Sequence, residues 1–207
     1  RCALAYSFFP LMVALGRHGR IDAKGVRMNT RGVNELLREL DKVRDEYASK
    51  AAKNPAVKLA KQLHGKIPVI YSANERMDAV NLRWRGQIQE NAKQVAFGNL
   101  LPEMNHNEIN GWAHPAKLNK NVEVILLKDK DDHERVQLRF KALQSIIKGS
   151  VGGITPFEAK GKNLLTRMFM TIYFGDWVSY HLALLNKEDP TPVPVIQKLK
   201  ARLAKDK

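Results

Sequence analysis

Apolar positions along the chain switch between helical and strand-like spacing, and the switches predict the order of elements. Residues 3 to 16 are nearly all apolar and predict a buried helix, with Pro10 predicting a kink or break. From Arg31 to Ser49, Val33, Leu36, Leu37, Leu40 and Val43 recur at helical spacing, and Thr30 stands where a cap belongs. Asn54-Pro55 opens a short helix over Ala56 to Leu63. Ile67 to Tyr71 is a short apolar run, read as a strand. Asp78 to Val95 follows as an amphipathic helix whose stripe is Trp84, Ile88, Ala92 and Val95. Val122 to Leu127 (VEVILL) predicts a second strand and His133 to Ile147 its helix. Val151 to Phe157 predicts a third, somewhat Gly-rich strand. A long apolar helix over Asn163 to Leu185 and a terminal helix over Val193 to Leu203 complete the chain.

Strands alternating with helices predict an α/β fold, a parallel sheet flanked by helices on both faces, with additional N-terminal connecting helices. The expected division is a helical linker or arm over residues 1–64 and the α/β domain over residues 65–207. In such sheets ligands sit at the carboxyl ends of strands. The loop Ser72-Ala73-Asn74-Glu75 is at such an end. It reads either as a plain turn or as backbone N–H donors for an anion at the next helix start.

Composition narrows the class. The chain has 207 residues, 44% hydrophobic and 27% charged, as in a soluble globular protein. Its single cysteine, Cys2, rules out an internal disulfide and fits a reducing cytoplasm. No run is long and apolar enough for a membrane span, and residues 3 to 15 lack the basic region of a signal peptide. The net charge of +14 favours an anionic partner: nucleic acid, a membrane surface or a phosphorylated metabolite. The basic residues are spread along the chain with no interleaved aromatic platform, and no zinc-ligand spacing occurs. Neither nucleic acid nor membrane is therefore expected as a partner.

The candidate chemistry lies in Arg83 to Gly111. Arg83, Gln87 and Glu90 fall close together on a face away from the apolar stripe. Sixteen residues after Glu90, His106 stands in the polar cluster Glu103, Asn105, His106, Asn107, Glu108. A carboxylate and an imidazole are a candidate general base and a candidate acid. Spacing alone leaves bland readings open: a solvated carboxylate and a hydrogen-bonded surface histidine.

The residue string is more specific. RWRGQIQENAK (83–93) followed by PEMNHNEINGW (102–112) resembles the second sugar isomerase (SIS) domain of bifunctional phosphoglucose/phosphomannose isomerases. Arg85 and Gln89 stand where that family has Lys and Asn, and both flank Glu90 without replacing it. Gly175-Asp176-Trp177-Val178-Ser179-Tyr180 and Asp189-Pro190-Thr191-Pro192-Val193 resemble the family's closing motifs. The resemblance covers most of the chain and is weakest over residues 20–64.

The resemblance implies interconversion of glucose 6-phosphate or mannose 6-phosphate with fructose 6-phosphate through a cis-enediol, without metal or cofactor. It makes Glu90 the enolisation base and His106 the ring-opening histidine, which in the family comes from the partner subunit of a dimer. It makes Lys198 the lysine assisting ring opening, and Arg1, in Arg-x-Ala-Leu, the arginine facing the enediolate. Thr191 becomes the substrate-binding residue that leaves room for rotation about C2–C3. By themselves Lys198 is one lysine among Lys200, Lys205 and Lys207, Thr191 a turn residue between prolines, and Arg1 a terminal charge. The family's phosphate loop, rich in Ser and Thr, belongs to a first domain expected to precede this chain. A shared site implies a homodimer in the cytoplasm. The other functional class kept open is a non-catalytic, sugar-phosphate-sensing regulatory domain.

Overall fold

The computed structural model describes residues 3–17 and 30–205, apart from the side chains of Arg17, Thr30 and Arg31. Arg1, the expected loop around His18 to Gly25 and the proposed Thr30 cap therefore lie outside the described residues.

Strands β1 (Ile67–Ala73), β2 (Phe97–Leu101), β3 (Val122–Lys128) and β4 (Gly153–Glu158) form a parallel sheet in the order β2-β1-β3-β4. The helices are α1 (Leu4–Arg17), α2 (Thr30–Ala48), α3 (Pro55–Leu63), α4 (Asp78–Ala92), α5 (Glu108–Gly111), α6 (Ala116–Asn119), α7 (Glu134–Ile147), α8 (Leu164–Leu185) and α9 (Pro194–Leu203). Alternation along the central strands divides the core in two. Ile70, Ile125 and Leu127 face α3, α4 and α8, packing with Leu59, Leu63, Trp84, Ile88, Phe174 and Val178. Val69, Tyr71, Val124 and Leu126 face α7 and the segment after β2, packing with Met104, Phe140, Leu143 and Ile147. The sheet is thus covered on both faces, as the alternation of elements predicts.

A buried ion cluster pins α8 to the carboxyl end of β3. Arg167 donates to both carboxylate oxygens of Asp129, at 2.6 and 3.0 Å, and to Asp131 at 2.7 Å. Its side chain is 1% exposed. That geometry satisfies charges that would be costly if left alone.

Several expectations need correction. α1 is not buried by the described residues: Tyr6 is 84% exposed, and Leu11 and Val13 also face outward. Phe8 and Phe9 pack on Phe169 of α8, so α1 attaches along one narrow line. In α2 Leu36 is buried while Leu37 points to solvent. α4 stops at Ala92, because Lys93 adopts a left-handed conformation (φ 54°), and Val95 falls outside the stripe at 57% exposed. β4 starts at Gly153, where an added Cβ would strike the Glu123 carboxylate, two residues later than expected. β2 and the short helices α5 and α6 have no counterpart in the expected order. α3, read as a connection, packs in the main core through Ala56, Leu59, Ala60 and Leu63.

Candidate active site

The longest motif lies on α4 and the GDWVSY string on α8, and the two helices pack along their length. Trp84 sits at the centre of the seam, fully buried, its indole N–H donating to the Thr171 carbonyl at 2.9 Å. Gly175 lies against that indole, and a Cβ there would overlap it. This requirement for a bare backbone accounts for the glycine. Arg83 donates to both oxygens of Asp176, at 2.9 and 3.1 Å. Burial pushes the Asp176 carboxyl above its ordinary range, and the Arg83 charge opposes that shift. Further along, Asn91 Nδ2 donates to Ser179 Oγ at 2.9 Å. Residues from the two motifs are therefore partners, as the core stripe of α4 alone would not have required.

Glu90 is half-buried on the side of α4 that opens to a cavity of about 1160 Å³. Arg83, Gly86 and Gln87 of α4 line it with Leu164, Met168 and Ile172 of α8, and α1 and α2 contribute Phe8 and Glu35. The backbone carbonyl of Glu90 accepts from Lys93 Nζ at 2.7 Å, and the same ammonium donates to the Asp189 carbonyl at 3.0 Å. Asp189 Oδ1 in turn accepts from the Thr191 N–H at 2.8 Å. Lys93 thus couples the Glu90 end of α4 to the Asp-Pro-Thr-Pro loop. Thr191 and, on α9, Lys198 are exposed.

His106 is not brought to Glu90 within this chain. α4 returns from the carboxyl end of β1 to the amino end of β2, so Glu90 is near the amino ends of the strands. His106 follows the carboxyl end of β2, beyond the 3-10 turn Glu103–Asn105, and is exposed. The short chain separation of the two residues is spanned by a strand that carries them to opposite ends of the sheet. The His106 segment is nonetheless anchored. Glu108 accepts from the Tyr71 hydroxyl and from Asn99 Nδ2, the latter at 2.7 Å. Burial, then the Glu108 hydrogen bond and charge, push the Tyr71 phenol far above its ordinary range, so it stays a donor. Glu108 was visible in the polar cluster, but its partners Tyr71 and Asn99 were passed over; their signal was two polar groups on strands facing an acid two residues after His106.

The loop after β1 behaves as a turn. Ser72 is buried and accepts from Asn81 Nδ2 at 3.2 Å, and the Asn74 N–H donates to the Leu101 carbonyl at 3.1 Å. The adjoining crevice, about 410 Å³, is lined by Glu75, Asp131 and Asp132 beside Arg76, an acidic surround ill-suited to an anion. Among the described residues no group of three His, Cys, Asp or Glu side chains is placed to hold a metal ion. No helix among them is long and apolar enough to cross a membrane.

Residues 52–203 match the family model for the bacterial phospho-glucose isomerase C-terminal SIS domain. The chain belongs to this family. A bifunctional phosphoglucose/phosphomannose isomerase from Caldicellulosiruptor bescii is 37% identical over 209 residues, covering 100% of this chain and 60% of that protein. The enzyme of the same name from Aquifex aeolicus is 39% identical over 155 residues, covering 74% of this chain and 47% of that protein. The chain thus spans about half to three-fifths of the length of these curated relatives. A glucose-6-phosphate isomerase like protein from Thermus thermophilus shares the SIS fold, with a TM-score of 0.63 at 23% identity, over 77% of this chain and 55% of that one. The seam between α4 and α8 is where the motifs shared with this family meet.

Proposed function

We propose that this SIS domain is the C-terminal catalytic part of an isomerase interconverting glucose 6-phosphate or mannose 6-phosphate with fructose 6-phosphate. Glu90 removes the proton from C2 of the opened aldose and returns it to C1, through a cis-enediol common to both epimers. His106 of a second protomer opens the ring, assisted by Lys198. The role proposed for Arg1 is to stabilise the developing enediolate charge, and Thr191 leaves space for rotation about C2–C3. The observation carrying this reading is the placement of Glu90: a carboxylate on the cavity wall, on the helix that Arg83–Asp176 and Asn91–Ser179 clamp to the second motif. The exposed position of His106, at the other end of the sheet, supports a homodimer with a shared site. Cytoplasmic sugar phosphate metabolism is the setting that fits. The phosphate would be held by the part of the relatives' length that this chain does not span.

Replacing Glu90 with Gln in the full-length enzyme is expected to lower turnover by roughly 10²- to 10⁴-fold, the range for loss of a general base, without changing the thermal transition. Turnover close to that of the unaltered enzyme would sink the assignment. The second reading, a sugar-phosphate-binding regulatory domain, draws on the half-site that one chain presents. It requires sugar phosphate binding with no turnover in the unaltered dimer.

A further inference from the structure

We infer that Gln87 is a substrate-contacting donor of this site, its side-chain NH₂ held toward the cavity by a relay that runs into the α8 motif. The inference rests on the reading of Glu90 given above. Gln87 lies one turn before Glu90, on the same cavity wall, and is 7% exposed. The orientation of its amide follows from its partners.

The relay begins at α8. Ser179 Oγ–H donates to the Asp176 carbonyl at 2.8 Å, which leaves its lone pairs to accept. Asn91 must therefore turn its NH₂ group toward Ser179, and it donates there at 2.9 Å. The same NH₂ reaches Gln87 Oε1 at 3.3 Å. The carbonyl of Gln87 is thereby committed to the seam, and its NH₂ is left without a protein acceptor among the described residues. Nearly buried, beside the proposed base, it is an amide donor prepared for an oxygen that the protein does not supply. A sugar oxygen next to the carbon that Glu90 deprotonates meets that need. Because the donor is neutral and fixed, it strengthens its hydrogen bond as negative charge grows on that oxygen in the enediolate.

Gln87 is then the substrate-contacting residue, and Asn91 a positioning residue that acts through it. Gln87→Met keeps the length of the side chain and removes both donors. Asn91→Asp keeps the shape but converts the donor to an acceptor, so the Gln87 amide flips and turns its carbonyl to the cavity. In the full-length isomerase each single variant is expected to lose about 10- to 100-fold in kcat, with a smaller change in KM, the range for one hydrogen bond to a charged group. The double variant is expected to lose no more than the worse single one. Gln87→Ala, measured alongside, guards against misfolding of the Met variant, and thermal transitions report on folding. Glu90→Gln separates the two layers. If it is inactive while Gln87→Met and Gln87→Ala both turn over normally, the inference about Gln87 falls and the base assignment stands. If the losses at Gln87 and Asn91 add in full, the orienting relay is wrong. If Glu90→Gln itself turns over normally, the reading of the site falls and this inference with it.

Discussion

The α4–α8 seam and the terminal helix α9 both carry residues of the proposed site, and they are built in opposite ways. In the seam, Trp84, Gly175 and Val178 are buried, and Arg83, Asn91, Asp176 and Ser179 pair across it. On α9, which carries Lys198, no residue is buried, and Val195, Leu199 and Leu203 lie exposed in a row one helical repeat apart. The proposed base, Glu90, is therefore positioned by packing completed inside one chain, whereas the proposed ring-opening groups, Lys198 and His106, stand on surfaces that this chain leaves open. Enolisation requires a carboxylate held to a fraction of an ångström, and a pre-packed helix supplies that.

The sharpest way to break the contrast is truncation on each side. Trp84→Ala removes a fully buried indole together with its hydrogen bond to Thr171. It is expected to cost about 3–5 kcal/mol in chemical denaturation. Leu199→Ala on α9 is expected to stay within about 0.5 kcal/mol in the isolated chain. Equal losses at the two positions would erase the distinction. Gly175→Ala tests the seam by crowding: its methyl enters the space of the Trp84 indole, with an expected loss of about 1–3 kcal/mol.

The smallest effect is electrostatic. Burial raises the folded-state pKa of Asp176 above its unfolded value, so the folded chain holds that proton more tightly. The stabilisation this gives is fully present below the ordinary carboxylate range, near pH 4, and is lost as pH rises through the raised value. Asp176→Asn should flatten that part of the stability–pH curve. An unchanged slope would mean that Arg83 cancels the burial effect.

The sequence showed the parts that obey one dominant force. Pro68 to Tyr71 and Val122 to Leu127 are buried on both faces, so their apolar runs read directly as central strands. β2 did not, because FGNLL is an edge strand with Phe97 exposed and a polar Asn99 whose partner, Glu108, comes after the turn that follows the strand. The end of α4 was misplaced by three residues, because the left-handed turn at Lys93 is fixed by two carbonyls, one of them Asp189, nearly a hundred positions away. Glu90 was legible through its motif. The separation of His106 from it within one chain was implied by the resemblance alone, since chain distance says nothing of an intervening unpredicted strand. Gln87 was visible as a neighbour of Glu90 on one face, but its amide acquires a direction only through Ser179, on another helix.

The central claim is that Glu90 and His106 serve one site from two protomers. Subunit mixing tests it most directly, using full-length Glu90→Gln and His106→Ala enzymes, each expected to be nearly inactive. In a mixed dimer one site carries both changes and the other carries neither. Random exchange should therefore restore about one quarter of the unaltered activity. A mixture shown to contain mixed dimers, yet no more active than its parents, would contradict the claim.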